Sequence, residues 1–274
     1  MIRGFLFRLH NVMLLAAAML LISSCATLSS NGVGRVRHYT VVSEQLPPSF
    51  DGYRIAFVSD LHYPSLFGSK RLPKLVACLN EISPDILMLG GDYVTDNDSI
   101  GALFLALGSV DARDGKYAVL GNHEWSNSLQ VMFAMEENGI ELLDDEIRVI
   151  QRGEESILVA GVADSFNDRA VSPLGESVDS AKFVILLSHN PDYAEFTLTS
   201  ADLVLSGHTH GGQVSLFGLY TPVKNSTYGT RFLRGKNVTS AGAMVITTNG
   251  VGTSRRKVRF CVPSEVVVVT LKRE

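Results

Sequence analysis

The sequence is poor in cysteine and in charge, and it has no excess of basic residues. Three cysteines in 274 residues are too few for the disulfide framework of a small secreted protein. Charged residues make up 19% of the chain and the formal net charge is −4, which argues against bulk nucleic-acid binding through a basic surface. What is abundant is apolar: hydrophobic residues account for 46%, enough for the core of one large globular domain.

The first 24 residues differ from the rest of the chain. Arg3 and Arg8 precede the apolar run VMLLAAAMLLI, which is followed by small residues. A basic start, about ten apolar residues and a small-residue exit predict an export signal over residues 1–24. An uncleaved anchor helix is the alternative, and both interpretations place the domain outside the cytoplasm because the arginines favour the inner side.

The stretch Ile22-Ser23-Ser24-Cys25 resembles a bacterial lipobox. The resemblance implies that Cys25 becomes the lipid-bearing N-terminus, which anchors the domain to a membrane of the bacterial cell envelope on its periplasmic or extracellular side. Residues 25–50 then provide the lipidated cysteine and a tether that ends in LPPS, and residues 51–274 form the domain.

Eight apolar runs in the domain have the length and the Val, Ile and Leu content of strands covered on both faces. Between them, Lys70–Ile82 and Ser128–Asn138 have helical spacing of apolar residues, the second through Leu129, Met132, Phe133 and Met135. The pattern predicts an α/β fold with layers around a strand-rich core. The runs are YRIAFVSD, DILMLGGD, KYAVLGNH, SILVAGVAD, KFVILLSHN, ADLVLSGHTH, AMVITTNG and EVVVVTLK.

Five of these runs end in side chains that can bind metals. Ligands in α/β sheets bind beyond the carboxyl ends of strands, so these side chains can meet in one crevice. Carboxylate, imidazole and amide donors without thiolate suit Mn, Fe or Zn. Every histidine except His10 and His38 belongs to the set, which is Asp60, His62, Asp92, Asn122, His123, Glu124, His189, His208 and His210.

The ordered motifs DLH, GGDYV, GNHE, SHNPD and GHTHGGQ resemble those of the calcineurin-like metallophosphoesterases, from about Tyr53 to the C-terminus. LHYP, HNPD, GHTHGGQ and TTNGVGTS are most similar to the bacterial, membrane-associated YkuE/YaeI-like branch. The resemblance implies a four-layer α/β/β/α sandwich that holds two divalent metal ions.

The same resemblance implies roles for the metal-binding residues and for His123, whereas Glu124 has two interpretations of its own. A metal-bridging hydroxide would be the nucleophile, and His123 would be the general acid that protonates the leaving oxygen. Glu124 would orient His123, or would simply provide an acidic residue at the start of the following helix. Asp60, His62 and His210 would bind the first metal, Asn122, His189 and His208 would bind the second, and Asp92 would bridge both.

These features predict a phosphoester hydrolase, most readily a phosphodiesterase or pyrophosphohydrolase acting on a lipid or a nucleotide at the cell envelope. In related protein phosphatases GDYV continues with a catalytic Asp and an Arg, whereas here Thr95-Asp96-Asn97 follow, which argues against that activity. The alternatives are a UDP-2,3-diacylglucosamine pyrophosphohydrolase of lipid A synthesis and a non-catalytic surface lipoprotein.

Two further segments have open interpretations. The stretch TSRRKVRF places four basic residues close together, which fits either contact with anionic lipid or substrate phosphate, or a solvated hairpin tip. VKNSTYGTRF could form a rim loop that carries Tyr228 and Arg231 toward a substrate. The basic residues are Arg255, Arg256, Lys257 and Arg259.

Overall fold

The computed structural model describes residues 8, 10–15, 33–64, 68, 70–163, 182–197, 200–255 and 257–274. The predicted export signal lies outside these ranges except for residues 8 and 10–15, which are helical, and Cys25 lies outside them. Among the described residues, no helix is long and apolar enough to cross a membrane.

Twelve strands within the described residues form two six-stranded sheets. All eight apolar runs predicted as strands are strands. In chain order the strands are β1 (Arg35–Ser43), β2 (Arg54–Val58), β3 (Ile86–Leu89), β4 (Lys116–Ala118), β5 (Glu141–Leu142), β6 (Ile147–Arg152), β7 (Glu155–Gly161), β8 (Val184–Leu187), β9 (Leu203–Ser206), β10 (Gly235–Val238), β11 (Met244–Thr247) and β12 (Glu265–Arg273).

The first sheet has the order β1-β12-β2-β3-β4-β5, and the second has the order β10-β11-β9-β8-β7-β6. In the first, β2 to β5 run parallel, and the C-terminal β12 is antiparallel to β2 and parallel to β1. In the second, β7, β8, β9 and β11 run parallel. The carboxyl ends of the parallel strands form one edge in each sheet.

Helices cover the outer face of the first sheet. The longest buries Leu72, Leu75, Leu79 and Ile82, three or four residues apart, and ends where Ser83 adopts a left-handed conformation with a φ of 49°. The α-helices are α1 (Leu72–Ile82), α2 (Ile100–Gly108), α3 (Ser128–Glu137) and the short α4 (Tyr193–Phe196), and 3-10 turns span Pro48–Phe50, Asn97–Ser99, Asn122–Glu124 and His210–Gly212.

The strands bury side chains on both faces, which separates the core into three apolar layers. Phe57 of β2 and Leu205 of β9 point between the two sheets. Val58 packs on the other side of its sheet with helical residues such as Leu103. The outer face of the second sheet is covered by α4 and by the chain around Phe232. These layers confirm the predicted α/β sandwich. Its fourth layer, on the outer face of the second sheet, is thin among the described residues.

Two expectations from the sequence were wrong. The predicted tether does not reach residue 50, because Arg35–Ser43 form β1, an edge strand that pairs with β12 along its whole length. The buried face of α3 consists of Val131, Ala134 and Met135. Leu129 and Phe133 are 68% and 65% exposed, because the helix turns its Val131–Met135 stripe toward the sheet instead.

This orientation of α3 predicts unequal effects of two truncations. We expect Met135→Ala, which removes a fully buried side chain, to lower the free energy of unfolding by about 2–5 kcal/mol. Leu129→Ala, at an exposed position of the same helix, should change it by less than about 0.5 kcal/mol. Urea unfolding followed by circular dichroism measures both, and equal losses would contradict the orientation of the helix.

Candidate metal centre

Both sheets contribute side chains to one cluster at the carboxyl ends of their strands. Asp60 and His62 follow β2, and Asp92 follows β3, so the first sheet supplies two carboxylates and an imidazole. From the second sheet, His189 follows β8, and His208 and His210 follow β9. The two sheets have to be packed face to face before these groups can meet.

Four of these residues form a group that can hold one metal ion. One donor atom from each of Asp60, His62, Asp92 and His210 lies within 4.8 Å of the others. The His62 and His210 Nε2 atoms are 3.1 Å apart, and His210 Nε2 is 3.2 Å from Asp60 Oδ1. All four residues are buried.

A second group shares one residue with the first. Asp92, His189 and His208 also bring donor atoms within 4.8 Å of one another. The Asp92 Oδ2 atom lies 3.5 Å from His62 Nε2 and 3.4 Å from His189 Nε2, so one carboxylate oxygen faces both groups. The sequence-based expectation that Asp92 stands between two sites therefore fits this geometry.

The backbone at these positions is in an uncommon conformation. Five members of the cluster have positive φ angles, a region that non-glycine residues rarely adopt. Such conformations cost roughly 1–3 kcal/mol each and persist where the surrounding structure imposes them, typically at functional sites. The residues are Asp60 (54°), His62 (43°), Asp92 (56°), His208 (65°) and His210 (53°).

Two glycines allow the ligand loops to approach one another. A Cβ added to Gly207 would overlap Ser59 Oγ and Asp60 Oδ2, and a Cβ added to Gly121 would overlap Asp92 Oδ1. Glycine is therefore required at both positions by the close approach of a carboxylate.

Hydrogen bonds fix the orientation of the donors. The His189 Nδ1 atom is 2.5 Å from the Gly90 carbonyl oxygen, so Nδ1–H donates to it and Nε2 faces Asp92. Ser59 Oγ–H donates to Asp60 Oδ2 at 2.7 Å, and the His208 N–H donates to the same carboxylate at 3.1 Å. These contacts orient the Asp60 carboxylate and the His189 imidazole.

Burial sets the protonation of most imidazoles in the cluster. It lowers the pKa of His62 to about 4 and that of His208 to about 3, so both are neutral at pH 7 with a lone pair for a metal. Burial also lowers the pKa of His189, but the Asp92 and Asp60 carboxylates outweigh it and raise that pKa to about 9. Metal binding at His189 therefore displaces a proton.

Asn122 also fits a metal ligand, as the sequence predicted. Its Oδ1 atom is buried without a hydrogen-bond partner in the part of the chain that the structure describes. A buried amide oxygen without a partner is unfavourable, and a cation would satisfy it. The donor set of carboxylate, imidazole and amide groups suits divalent metal ions.

His123 differs from the ligands because its side chain is 43% exposed. Its Nε2 atom lies 4.0 Å from Asp92 Oδ2, and its ring makes an edge contact with that of His62 at 4.7 Å. The imidazole therefore stands beside the cluster with access to solvent and to a bound substrate.

Glu124 is an acidic residue in the first turn of the Asn122–Glu124 segment, which fits the second of the two sequence-based interpretations, and its side chain also has longer-range partners. Its fully buried carboxylate accepts hydrogen bonds from the backbone N–H groups of Asp92, Tyr93 and Gly121, at 2.9, 2.8 and 2.9 Å. It therefore does not orient His123 through any of these bonds. Instead, it ties the Asp92 loop to the Gly121 loop.

Two buried charged residues behind the cluster were missed from the sequence. Arg259 is 2% exposed, and its guanidinium donates to five backbone carbonyls, including those of His210 and Asn249. Glu265 accepts from the Asn249 N–H at 2.9 Å. Most of these partners lie within 16 residues along the chain, and the distant one is His210, 49 residues from Arg259. Arg259 therefore does not belong to an exposed basic cluster.

Other expected features have structural roles. The Asp96 carboxylate accepts from the Ser99 N–H at 3.0 Å and so caps the 3-10 turn Asn97–Ser99. Arg231 donates to Glu195 and to the Val238 carbonyl, which directs it away from a substrate role. Tyr228 packs edge-on to the Phe232 ring at 5.7 Å.

Two groups of donors joined by a shared carboxylate define the site of a dinuclear metal hydrolase. Residues 53–212 match the family model described as calcineurin-like phosphoesterase. The chain belongs to this family and is a metal-dependent hydrolase of phosphoester bonds, which confirms the resemblance expected from the motifs.

Several relatives are similar over most of the chain. An uncharacterized metallophosphoesterase of Aquifex aeolicus (strain VF5) is 34% identical over 251 residues, covering 87% of this chain and 92% of that protein. The uncharacterized metallophosphoesterase YkuE of Bacillus subtilis (strain 168) is 30% identical over 243 residues, covering 85% of this chain and 84% of that protein. A transmembrane protein with metallophosphoesterase domain of Danio rerio is 29% identical over 251 residues, covering 84% of this chain and 55% of that protein.

The Asp60 carboxylate lies so close to Gly207 that a methyl group added at this position is expected to weaken metal binding. We expect Gly207→Ala to displace the Asp60 carboxylate and to lower the metal content measured by mass spectrometry of the purified protein, with the circular dichroism spectrum retained. Gly101→Ala is the matched control, because its added Cβ meets no atom within 4 Å and helix α2 tolerates alanine well. Unchanged metal content in Gly207→Ala would contradict the geometry.

Proposed function

We propose that this chain is a dinuclear phosphodiesterase or pyrophosphohydrolase of the bacterial cell envelope. The observation that carries the proposal is the pair of donor groups joined by Asp92, with the exposed imidazole of His123 beside them. The first group, with Asp60, His62 and His210, holds one ion. The second holds the other through residues Asn122, His189 and His208.

When bound between these residues, two divalent ions would supply Lewis acidity for phosphoryl oxygens and for a water molecule near neutral pH. The residues of the chain orient the reacting groups and protonate the leaving oxygen. His123 holds a proton on Nε2 and delivers it to the leaving oxygen, which would otherwise depart as an unstable alkoxide. Glu124 keeps the His123 turn and the Asp92 loop in register through its three backbone hydrogen bonds.

An open groove beside His208 has little positive charge among its described lining residues, which favours a phosphodiester over a phosphomonoester. This groove, with a volume of about 550 Å³, extends from His208 to residues 222 and 224–227 and contains one cation among its described lining residues, Lys224. The Asp192 carboxylate lines it as well, held by Ser226 and Thr227. A diester carries one negative charge where a monoester carries up to two, so the diester needs less positive charge from the protein.

The envelope location is supported by the N-terminal sequence. Arg3 and Arg8 before an apolar run, followed by Cys25 in a lipobox-like context, are typical of an exported lipoprotein. The Danio rerio relative is itself named a transmembrane protein. Lipidation at Cys25 would keep the metal centre close to membrane phosphoesters.

Turnover of paired substrates tests the activity. With the full chain and manganese, we expect faster cleavage of bis(p-nitrophenyl) phosphate than of p-nitrophenyl phosphate, measured by release of p-nitrophenolate. Chelation of the metal should abolish both reactions, and added manganese should restore them. Faster cleavage of the monoester would overturn the diester preference.

The acid role of His123 gives a matched comparison in the same assay. We expect His123→Ala to slow cleavage of diphenyl phosphate by roughly 10²–10⁴-fold, because phenolate leaves poorly without a proton. The loss should be smaller with p-nitrophenyl esters, whose leaving group needs no proton. His38→Ala, at an exposed position on β1, is the control. Equal losses with both leaving groups would rule out the acid role.

Lipidation predicts a change of location for a conservative variant. We expect the wild-type chain expressed in a bacterium to fractionate with membranes and to give a lipid-bearing N-terminal peptide beginning at Cys25 in mass spectrometry. Cys25→Ser should lack the lipid, because the thioether cannot form. A wild-type protein that keeps residues 1–24 would instead support the anchor-helix alternative.

A further inference from the structure

A short hairpin beside the metal centre presents large apolar side chains to solvent. Leu216, Phe217, Leu219 and Tyr220 are 50%, 61%, 92% and 61% exposed. The turn is fixed by hydrogen bonds from the Leu216 N–H to the Tyr220 carbonyl and from the Leu219 N–H to the Leu216 carbonyl, at 2.8 and 3.0 Å. Contiguous exposed apolar side chains on an ordered turn mark an interaction surface.

A basic loop runs alongside this hairpin. The Phe260 N–H donates to the Gln213 carbonyl at 3.0 Å, and the Ser215 N–H donates to the Phe260 carbonyl at 2.9 Å. Through these bonds the two loops form one unit. Arg255 and Lys257 are exposed on the second loop, in a chain whose overall charge is −4.

An apolar cavity connects these loops to the metal centre. Its volume is about 260 Å³, and it is lined by Val214, Pro222, Val223 and Val258. His210 of the metal centre and the exposed Arg255 line the same cavity. The two loops and the metal centre therefore face the same side of the molecule.

The chain also enters the domain at this end. The Arg35 N–H donates to the Ser264 carbonyl at 2.8 Å, and the next residue, Glu265, bonds Asn249 behind the cluster. Cys25 precedes Val33, the first described residue of the domain, by 33 − 25 = 8 residues, which span at most roughly 26–29 Å. If Cys25 is lipidated as proposed above, the membrane lies close to the metal end.

We propose that the surface formed by Leu216, Phe217, Leu219, Tyr220 and Val258, flanked by Arg255 and Lys257, docks onto an anionic lipid bilayer. We call it the tip surface. Apolar and aromatic side chains enter the interfacial region of a bilayer, and the flanking cations contact the headgroups of anionic lipids. Docking would turn the metal centre toward phosphoesters carried by membrane lipids, a consequence that rests on the proposed hydrolase.

Depth-dependent fluorescence quenching tests the docking without depending on catalysis. The chain contains one tryptophan, Trp125, so Leu219→Trp in a Trp125→Phe background places a single reporter on the tip surface. The full-length protein is added to vesicles of phosphatidylcholine and phosphatidylglycerol with or without brominated acyl chains. We expect a blue-shifted emission that the brominated lipids quench.

The matched control places the reporter at the opposite end of the sandwich. Val42 is 54% exposed near the C-terminal end of β1, which pairs with the end of β12 next to the start of β2. Val42→Trp in the same background should give an emission that brominated lipids leave unchanged. Lack of quenching at residue 219, or equal quenching at both positions, would overturn the proposal. A blue shift at residue 219 without quenching would also overturn it, because another part of the chain or a second copy would then cover the surface.

Reversal of the charges at Arg255 and Lys257 tests the preference for anionic lipids. Arg255→Glu combined with Lys257→Glu, in the chain with Leu219→Trp, should weaken the quenching on anionic vesicles and have little effect on vesicles of phosphatidylcholine alone. Unchanged quenching on anionic vesicles would mean that the cations do not contact headgroups, and the proposal would fail. Loss of phosphodiester hydrolysis would not affect either measurement.

Discussion

The carboxylate of Asp92 is the contact on which the rest of the metal centre depends. One of its oxygens faces His62 from the first sheet at 3.5 Å and His189 from the second at 3.4 Å. The other accepts the backbone N–H of His123 at 3.0 Å, and the Asp92 N–H is itself held by Glu124 at 2.9 Å. A buried carboxylate is unfavourable unless cations or donors surround it, so the two sheets must bring their histidines to this point.

This arrangement requires backbone strain, and the sandwich supplies the rigidity that maintains it. Five ligand positions have positive φ angles, which an isolated loop would relax. They are held because each follows directly from a strand that is buried on both faces, and because Arg259 and Glu265 satisfy the carbonyl and amide groups behind them. The packing between the sheets thus stabilises a site that is locally unfavourable.

The two ends of the sandwich have different surfaces. At the metal end lie the tip surface, the apolar cavity and the point where the chain enters the domain. At the other end, Arg152 forms ion pairs with Asp85 and Asp114, both at 2.8 Å, so its charge is already balanced within the protein. This asymmetry is what a hydrolase tethered to a membrane would require, because its reaction then faces the lipid while the remaining surface faces water.

Local patterns determined much of this protein. Apolar runs of strand length identified eight strands, and the polar residues that follow them identified the candidate ligands, because a strand that is buried on both faces must leave its functional groups at its ends. The weak amphipathicity of α3 misdirected the choice of its buried face, since Leu129 and Phe133 are apolar but exposed. By itself, then, the sequence determined the fold class, the family and the candidate donors. Only the tertiary structure decided that Asp92 faces both groups, that Glu124 and Arg259 support the loops, and that the tip surface adjoins the metal centre, because each of these depends on contacts between segments that are distant along the chain.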